Sequence, residues 1–393
     1  MLGRKIWSLL VLVFSLIMLW TGLAGCGQTA QATPTATLEP TRTPQPTATF
    51  TATPPPTLTP EPLPVTFGPT NFPPDINPLT GLKVENPALL ERRPIVIKVS
   101  NLPRYVRPQW GLSRADLVFE YYTEYGTTRF AAIFYGRDAD MVGPIRSGRL
   151  IDAHFVRGYK AIFTFGLADR RVLNRLYGTE FEDRLVVESP STPLFRYDPG
   201  GYSFLMANTA ELSRYINEKG VENGRQNLDG MFFQQEPPVG APMPQFTVRF
   251  SSSIYNRWQY DTELGKYLRF SDTVDDKELG KGMRFEQAFD RLTGEPLAFD
   301  NVVVMFVLNE YYSRNPEIID IQLIGSGPAY LFRDGQVYQV YWQRNGVYEV
   351  VSLADESGAP FPFKPGTTWF EIVGLSSTVS ESEEGLFFQH KMP

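Results

Sequence analysis

The sequence is almost free of cysteine and histidine, and its charges nearly balance. One cysteine, Cys26, among 393 residues excludes an intramolecular disulfide and leaves the rest of the chain without a thiolate nucleophile or metal ligand. Two histidines, His154 and His390, are too few for a histidine-rich zinc site. The formal net charge of -6 gives the folded part no electrostatic reason to bind nucleic acid. No phosphate loop or dinucleotide fingerprint is present, so no cofactor is expected.

The N-terminus has the three parts of a lipoprotein export signal. Arg4 and Lys5 form a positive region, an apolar run extends to Trp20, and Leu-Ala-Gly-Cys follows at residues 23–26. The apolar run is near the roughly 20 residues that a membrane-spanning helix needs, so an uncleaved anchor is the alternative. Because the cysteine stands where a lipobox puts it, we predict a signal peptide over 1–25 and lipidation of Cys26. The lipid bilayer would then be a partner, with the body at the outer face of the cytoplasmic membrane.

A stalk is predicted between this signal and the folded body. From residue 29 to residue 64, threonine and proline occupy 22 of the 36 positions, a composition that cannot form a core. Residues 26–76 are therefore predicted to be a disordered stalk. It could be an inert spacer or a recognition segment.

The predicted fold class of the body is α+β, with two domains. Residues 77–220 mix strand and helix patterns and are assigned to an N-terminal α/β domain, with helices over 148–157, capped by Ser147, and over 169–177 and 209–219. Residues 221–245 are rich in glycine, proline and polar residues and are interpreted as a linker. Residues 246–374 are predicted to form a mostly antiparallel β domain, a sandwich or partly open barrel. Residues 375–393 are predicted to be a mobile tail.

The segment DLVFEYYTEYGTTRF, residues 116–130, combines a β-hairpin pattern with three acidic residues. We predict that it turns at Tyr125-Gly126. Because alternate side chains of a strand share a face, Asp116, Glu120 and Glu124 are expected to lie together. Arg129 lies roughly opposite the Glu124 end of the hairpin and can pair with it.

Two further arginines follow in the segment GPIRSGR, residues 143–149. They would stand beside the free backbone N–H groups of the predicted helix start and form an anion site. The acids and arginines could form an interior charge network, or they could line a polar cleft for a cell-wall glycan, a peptide or another envelope protein. The predicted ligand-binding residues are Asp116, Glu120, Glu124, Arg129, Arg146, Ser147 and Arg149.

The residues give less support to enzyme chemistry. Glu120 and Glu124 would lie about 13 Å apart on a straight strand, too far for most glycosidase carboxylate pairs. Ser147 lacks the glycine two positions earlier that a nucleophile elbow requires. An all-oxygen calcium site from Asp116 and Glu120 stays open. The predicted function is a membrane-tethered binding or scaffolding lipoprotein, with an uncharacterised cell-envelope hydrolase using the same carboxylates as the alternative, and no catalytic residue is assigned.

A series of short motifs runs along the chain from about Asn77 to Gly374. They include Asn77-Pro-Leu-Thr-Gly81, Arg107-Pro-Gln-X-Gly-Leu, Glu124-X-Gly-X-Thr-Arg129-Phe, Gly143-Pro-X-Arg-Ser147, Tyr267-Leu-Arg269, Gly325-Ser-Gly and Pro365-Gly-Thr-Thr-Trp369. In this order they resemble the YerB-like family of bacterial lipoproteins. The resemblance implies a two-domain extracytoplasmic lipoprotein with a C-terminal β domain, and it implies no reaction. The stalk lies outside the shared pattern.

Cys26→Ser is expected to abolish lipidation, because the hydroxyl cannot replace the thiol that accepts the lipid. The precursor should stay uncleaved, or the body should be less firmly bound to membranes. Intact mass and partitioning into a detergent phase measure both effects, and Thr29→Ser, outside the lipobox, is the control. Unchanged mass and partitioning for Cys26→Ser would contradict the lipoprotein prediction.

Overall fold

The computed structural model describes residues 66–277 and 282–392, and strands dominate these ranges. The predicted signal peptide, the lipidation site Cys26 and the stalk as far as residue 65 lie outside the described residues. Within the described ranges, no helix is both long enough and apolar enough to cross a membrane.

The first half of the body contains strands and three short α-helices within the described ranges. Its strands are β1 (Thr66–Phe67), β2 (Ile95–Ser100), β3 (Leu117–Tyr122), β4 (Thr128–Phe134), β5 (Ile162–Phe165), β6 (Leu185–Val187), β7 (Phe195–Tyr197) and β8 (Phe204–Met206). Its helices are α1 (Asp152–Gly158), α2 (Arg170–Leu176) and α3 (Thr209–Glu218). Single 3-10 turns cover Pro87–Glu91, Arg104–Val106, Leu112–Arg114 and Glu182–Arg184.

The second half consists of strands and loops in the part of the chain that the structure describes. The strands are β9 (Phe233–Gln234), β10 (Ala241–Pro242), β11 (Gln245–Arg249), β12 (Tyr255–Asp261), β13 (Lys266–Asp272), β14 (Phe285–Gln287), β15 (Ala298–Phe299), β16 (Asn301–Val307), β17 (Asn309–Arg314), β18 (Glu317–Ile321), β19 (Gly325–Arg333), β20 (Gln336–Arg344), β21 (Ser352–Ala354), β22 (Thr368–Gly374), β23 (Thr378–Ser382) and β24 (Gly385–Gln389). The segment interpreted as a linker, residues 221–245, holds β9 and β10. Strand β1, inside the predicted stalk, pairs with β9, so ordered structure begins upstream of residue 77.

The hairpin of β3 and β4 turns where the sequence indicates. Tyr125 has φ 49° and Gly126 has φ 78°, and the amide of Thr127 donates to the carbonyl of Glu124 at 2.8 Å. Positive φ at both central residues gives a turn whose twist matches that of the two strands, and glycine adopts this backbone without steric cost.

Two of the three predicted helices form near their predicted positions, and the other starts late. Helices α2 and α3 follow the capping residues Asp169 and Asn208. The helix predicted over 148–157, with Ser147 as its cap, begins only at Asp152. The preceding segment is extended, because Ile145 bridges to β2 and the amide of Arg146 donates to a carbonyl of β2 at 2.9 Å. Together with the hydrogen bond from the amide of Gly148 to the carbonyl of Leu167 at 2.8 Å, these long-range contacts hold residues 145–148 in a non-helical backbone.

One mixed sheet of eleven strands contains strands from both halves of the chain. Its order is β10-β20-β19-β16-β22-β3-β4-β2-β5-β6, with β21 paired to β20. The two halves meet where β22 lies parallel to β3. A seven-stranded sheet, β14-β13-β12-β11-β24-β23 with β15 on β13, is built from the second half. Neither sheet closes on itself within the described residues.

The segment 375–393, predicted to be a mobile tail, instead carries two strands. Strand β24 lies parallel to β11 in the seven-stranded sheet and antiparallel to β23. Phe388 in β24 is fully buried, and its ring centroid lies 5.2 Å from that of Tyr330 and 6.2 Å from that of Phe246. The prediction was wrong because it was based on the polar, acidic character of the segment and overlooked the short apolar strand that follows the acidic turn.

Two glutamates stand side by side where the halves of the chain join. Glu120 in β3 and Glu371 in β22 are direct partners across the parallel strands, and both are fully buried. Arg269 of β13 reaches both: its Nη2 lies 2.8 Å from Glu120 Oε2, and its Nη1 lies 3.2 Å from Glu371 Oε1. Trp258 Nε1 donates to Glu371 Oε1 at 2.8 Å. We call these four side chains the seam network.

The two glutamates of the seam network differ in their hydrogen bonding. Glu120 Oε1 accepts from Thr128 Oγ1 at 2.7 Å and from Asn101 Nδ2 at 3.0 Å. Glu371 Oε2 has no hydrogen-bond partner in the described part of the chain. Burial, together with repulsion from Glu120, raises the pKa of Glu371 to about 8. Glu371 is therefore mostly protonated at neutral pH, and the charge of Arg269 is balanced by Glu120.

Phe388→Ala is expected to lower the free energy of unfolding by about 3 to 5 kcal/mol, as for other large aromatic truncations in a core. The control is Glu383→Ala, in the exposed turn between β23 and β24, which should leave stability nearly unchanged. Chemical denaturation of the full chain measures both variants. A loss below about 1 kcal/mol for Phe388→Ala would mean that β24 does not pack in the core.

Glu371→Gln is expected to remove one part of the pH dependence of stability. The pKa of Glu371 is about 8 in the folded chain and near the ordinary value of 4.5 when unfolded. The folded chain therefore binds more protons between these values, so the stability of the wild type falls as pH rises through this window. The expected slope is on the order of 1 kcal/mol per pH unit, with no such slope below the window or above it.

The side chain of the glutamine variant stays neutral at every pH. The stability of this variant relative to the wild type should therefore increase as pH rises from 5 to 8. Denaturation curves at several pH values measure this gain, and exposed Glu383→Gln is the matched control. Parallel pH profiles for the wild type and Glu371→Gln would show that Glu371 is ionised in the folded chain.

Candidate functional site

The structure places the predicted site residues apart from one another, and two of them, Asp116 and Glu120, are closed to solvent. Asp116 is 2% exposed and accepts hydrogen bonds from the amides of Tyr135 and Gly136 at 2.6 and 2.9 Å and from Asn77 Nδ2 at 3.0 Å. Burial raises the pKa of Asp116. Glu120 belongs to the seam network. The described residues contain no group of three or more acidic, histidine or cysteine side chains placed to hold a metal ion.

Glu124 forms a second, half-buried group with two of the predicted arginines. Arg129 Nη2 lies 2.8 Å from Glu124 Oε1, and Arg149 Nε lies 2.7 Å from Glu124 Oε2. Both guanidinium groups also donate to the carbonyl of Ser147, at 2.9 and 3.3 Å. Burial opposes ionisation of Glu124, but the hydrogen bond and charge of Arg149 and the charge of Arg129 outweigh it and lower its pKa. We call Glu124, Arg129 and Arg149 the arginine cluster.

Glu124 does not share a face with Glu120, contrary to the prediction. Strand β3 ends at Tyr122, so the alternation of side chains stops before Glu124. Glu124 then turns toward the face occupied by Arg129, whose strand partner is Tyr121.

A buried ion pair that the sequence did not indicate adjoins the arginine cluster. Lys98 Nζ lies 2.8 Å from Asp152 Oδ1, which also accepts from Tyr121 Oη at 2.6 Å. Asp152 Oδ2 accepts from the amide of Arg149 at 2.6 Å. Burial lowers the pKa of Lys98 to about 7, although Asp152 favours its charged form. The only sequence signal was a lysine inside the apolar strand β2.

An open cleft of about 250 Å³ lies at the carboxyl ends of parallel strands. Strands β2, β5 and β6 run parallel to one another. The segments that follow them line the cleft through Tyr105, Leu167 and Glu188, respectively. Ligands of open α/β sheets bind at this edge, where the loops diverge. The volume is slightly below the roughly 300 Å³ of small ligand pockets, so the cleft suits a small ligand.

Arg146 and Ser147 are the predicted residues that line this cleft. The side chain of Arg146 is exposed, and its hydrogen bond to a described residue runs from Nε to Ser100 Oγ at 3.3 Å. Ser147 Oγ makes no hydrogen bond to any described residue. The guanidinium of Arg146 and the hydroxyl of Ser147 are therefore accessible to a ligand. Asp116 and Glu120 are not.

Aromatic rings stack along the cleft, a feature that sequence reasoning missed. The ring centroids of Tyr105 and Tyr202 lie 4.5 Å apart with an interplanar angle of 11°, and Phe204 stacks on Tyr202 at 5.5 Å. Tyr105 and Tyr202 are 49% and 52% exposed. Asp198 Oδ1 fixes the turn between β7 and β8 by accepting from the amides of Gly200 and Tyr202 at 3.0 Å. The sequence signal was the turn segment DPGGYSF, with its aromatic pair.

An ion pair completes the cleft lining. Arg196 Nε lies 2.7 Å from Glu188 Oε1, and Arg196 Nη1 donates to the carbonyl of Ser203 at 2.9 Å. Glu188 is the single carboxylate among the cleft-lining residues that the structure describes. The cleft thus combines flat aromatic surface with guanidinium and hydroxyl donors, which suits a hydroxyl-rich or anionic ligand.

Comparison with known proteins identifies the family. Residues 79–222 match the family model "Protein of unknown function (DUF3048) N-terminal domain", and residues 246–370 match the corresponding C-terminal domain. "Putative lipoprotein YerB" of Bacillus subtilis (strain 168) is 30% identical over 305 residues, which cover 75% of this chain and 85% of the relative. The crystal structure of YerB protein from Bacillus subtilis matches with a TM-score of 0.61 at 25% identity, over 76% of this chain and 96% of that one. The predicted resemblance is confirmed, and the chain belongs to the two-domain DUF3048 family that includes YerB.

Proposed function

We propose that this chain is a binding module of the cell envelope, held at the outer face of the cytoplasmic membrane by a lipid on Cys26. The residues Leu-Ala-Gly-Cys at positions 23–26 support the anchor. The name of the related Bacillus protein supports it as well. Two or more acyl chains on one terminus would give a firm attachment, since each buried CH2 contributes about 0.8 kcal/mol.

The ligand we propose for this module is a cell-wall glycan or the glycan part of a glycopeptide. The observation that carries the proposal is the open cleft at the carboxyl ends of β2, β5 and β6, with stacked tyrosines beside free polar groups. Half-exposed tyrosines present flat apolar rings together with hydroxyl groups, a combination suited to ligands that are apolar on one side and polar on the other. Tyr202 is the ring that the turn between β7 and β8 holds in place.

The alternative, a hydrolase acting with the carboxylates of this site, has less support. Most glycosidases use two carboxyl groups that flank the scissile bond. Asp116 and Glu120 are buried and hydrogen-bonded, and Glu124 is paired with two arginines. Glu188 lines the cleft but is paired with Arg196. A ligand in the cleft would therefore meet donors and aromatic rings rather than a pair of carboxylates.

Tyr202→Ala is expected to weaken binding of soluble peptidoglycan fragments roughly threefold to tenfold, since a stacked aromatic contact contributes about 0.5 to 1.5 kcal/mol. Isothermal titration calorimetry of the full chain in detergent micelles measures the affinity. Tyr312→Ala is the matched control, because Tyr312 is 54% exposed in β17 and does not line the cleft.

Two results would contradict this proposal. One is that the wild type binds none of the fragments, and the other is that Tyr202→Ala and Tyr312→Ala bind them equally well. New reducing ends appearing in the same samples would favour the hydrolase alternative instead.

A further inference from the structure

We infer that the ligand of the cleft carries an acidic group, and that Arg146 is the residue that holds it. The inference rests on the proposed function and names the ligand class more narrowly: a carboxylated amino sugar rather than a neutral one. Its main support is the charge around Arg146.

Arg146 differs from the other arginines near the cleft in having no carboxylate partner within the described residues. Arg129 and Arg149 share Glu124, with Arg129 at 2.8 Å. Arg196 is paired with Glu188. Among the residues that the structure describes, the side chain of Arg146 makes a single hydrogen bond, at 3.3 Å to the neutral hydroxyl of Ser100. An arginine that lines a cleft without a counter-ion offers its planar donors to an anion, which it can hold through two parallel hydrogen bonds.

The surroundings of Arg146 are positive, although the whole chain is acidic. The net charge of the chain is -6, yet the groups around Ser147 comprise three arginines and two carboxylates. Lys98 adds part of a further positive charge, because burial lowers its pKa to about 7. Burial, together with repulsion from Arg149 and Arg146, lowers the pKa of Arg129 to about 9, so the three guanidinium groups are close enough to repel one another. The group consists of Lys98, Arg129, Arg146, Arg149, Glu124 and Asp152. Since Glu188 in the cleft is balanced by Arg196, the field at the cleft floor favours an anion.

The cleft lining offers different residues to the acidic group of the ligand and to its ring. Ser147 Oγ, free of protein partners among the described residues, lies beside Arg146 in the lining and can donate to a second oxygen of a carboxylate. Tyr105 and Tyr202 present half-exposed rings in the same cleft. With about 250 Å³ available, the cleft accommodates one sugar with its acidic substituent rather than several sugars.

The test compares a charged probe with a neutral one that differs from it by a single methyl group on the carboxylate. One is N-acetylmuramic acid, whose lactyl group ends in a carboxylate, and the other is its methyl ester. Titration calorimetry of the full chain in detergent micelles is expected to show roughly tenfold or more tighter binding of the acid, as for a charged hydrogen bond. Arg146→Gln should remove this preference and leave the ester affinity nearly unchanged.

The matched control is Arg114→Gln, which removes the same charge from an exposed arginine outside the cleft lining and should preserve the preference. Arg146→Lys should keep part of the preference, because it retains the charge but loses the planar pair of donors. Thermal unfolding of Arg146→Gln is expected to match the wild type closely, so a loss of preference would not come from misfolding.

The possible outcomes distinguish this inference from the proposed function. Equal binding of the acid and the ester by the wild type would overturn the inference and leave a neutral-glycan site standing. An equal loss of both affinities in Arg146→Gln would overturn the charge role of Arg146. Binding of neither probe by the wild type would overturn the carboxylated-sugar inference, and failure of the larger peptidoglycan fragments as well would overturn the proposed function.

Discussion

One buried ion pair, between Glu120 and Arg269, joins the two halves of the chain and its two large sheets. Glu120 lies in a strand of the first half, and Arg269 lies in the seven-stranded sheet of the second half. The guanidinium is enclosed by aromatic rings, with its central carbon 4.5 Å from the ring centroid of Trp369 and 5.4 Å from that of Trp258. An ion pair so far from water is tolerated only when its remaining polar atoms are also bonded, and removal of one partner leaves an uncompensated charge.

The seam network also fixes the register between β3 and β22. Side chains alternate across a strand, so a slip of one residue would turn Glu371 away from Arg269. The opposite face specifies the same register, since Phe370 stacks on its strand partner Phe119 with centroids 4.3 Å apart. A polar match on one face and an aromatic match on the other therefore select one pairing of two strands that no short loop connects.

Local sequence patterns predicted local structure well, but they could not predict contacts between residues that are far apart in the sequence. The turn at Tyr125-Gly126 and the helices α2 and α3 follow from turn chemistry and capping, which act over a few residues. The hairpin acids were recognised, but the partner of Glu120 was expected in the neighbouring arginines. Arg269, in the other half of the chain, is the charged partner of Glu120. The parallel pairing of β3 with β22 likewise leaves no signal in the spacing of residues.

The candidate site shows the same limit. Ser147 has the chemistry of a helix cap, yet the backbone around it is bonded to β2, so tertiary contacts override the local preference. Arg146 was recognised as a residue of interest from its sequence neighbours. The tyrosines that share its cleft come from two separate loops, and only the folded chain brings Tyr105 and Tyr202 into contact.

The seam network reaches the cleft through the loop that follows β2. Asn101 Nδ2 donates to Glu120 Oε1, and Arg107 Nε donates to Asn101 Oδ1, both at 3.0 Å. Arg107 Nη1 also donates to the carbonyl of Asp272 at 2.7 Å. The segment between these two fixed points carries Tyr105 into the cleft, so the ring is held in place before a ligand arrives, which lowers the entropy lost on binding. Glu120 thus helps to position a segment that lines the cleft without lining the cleft itself, and hydrogen bonds connect the seam network to that segment.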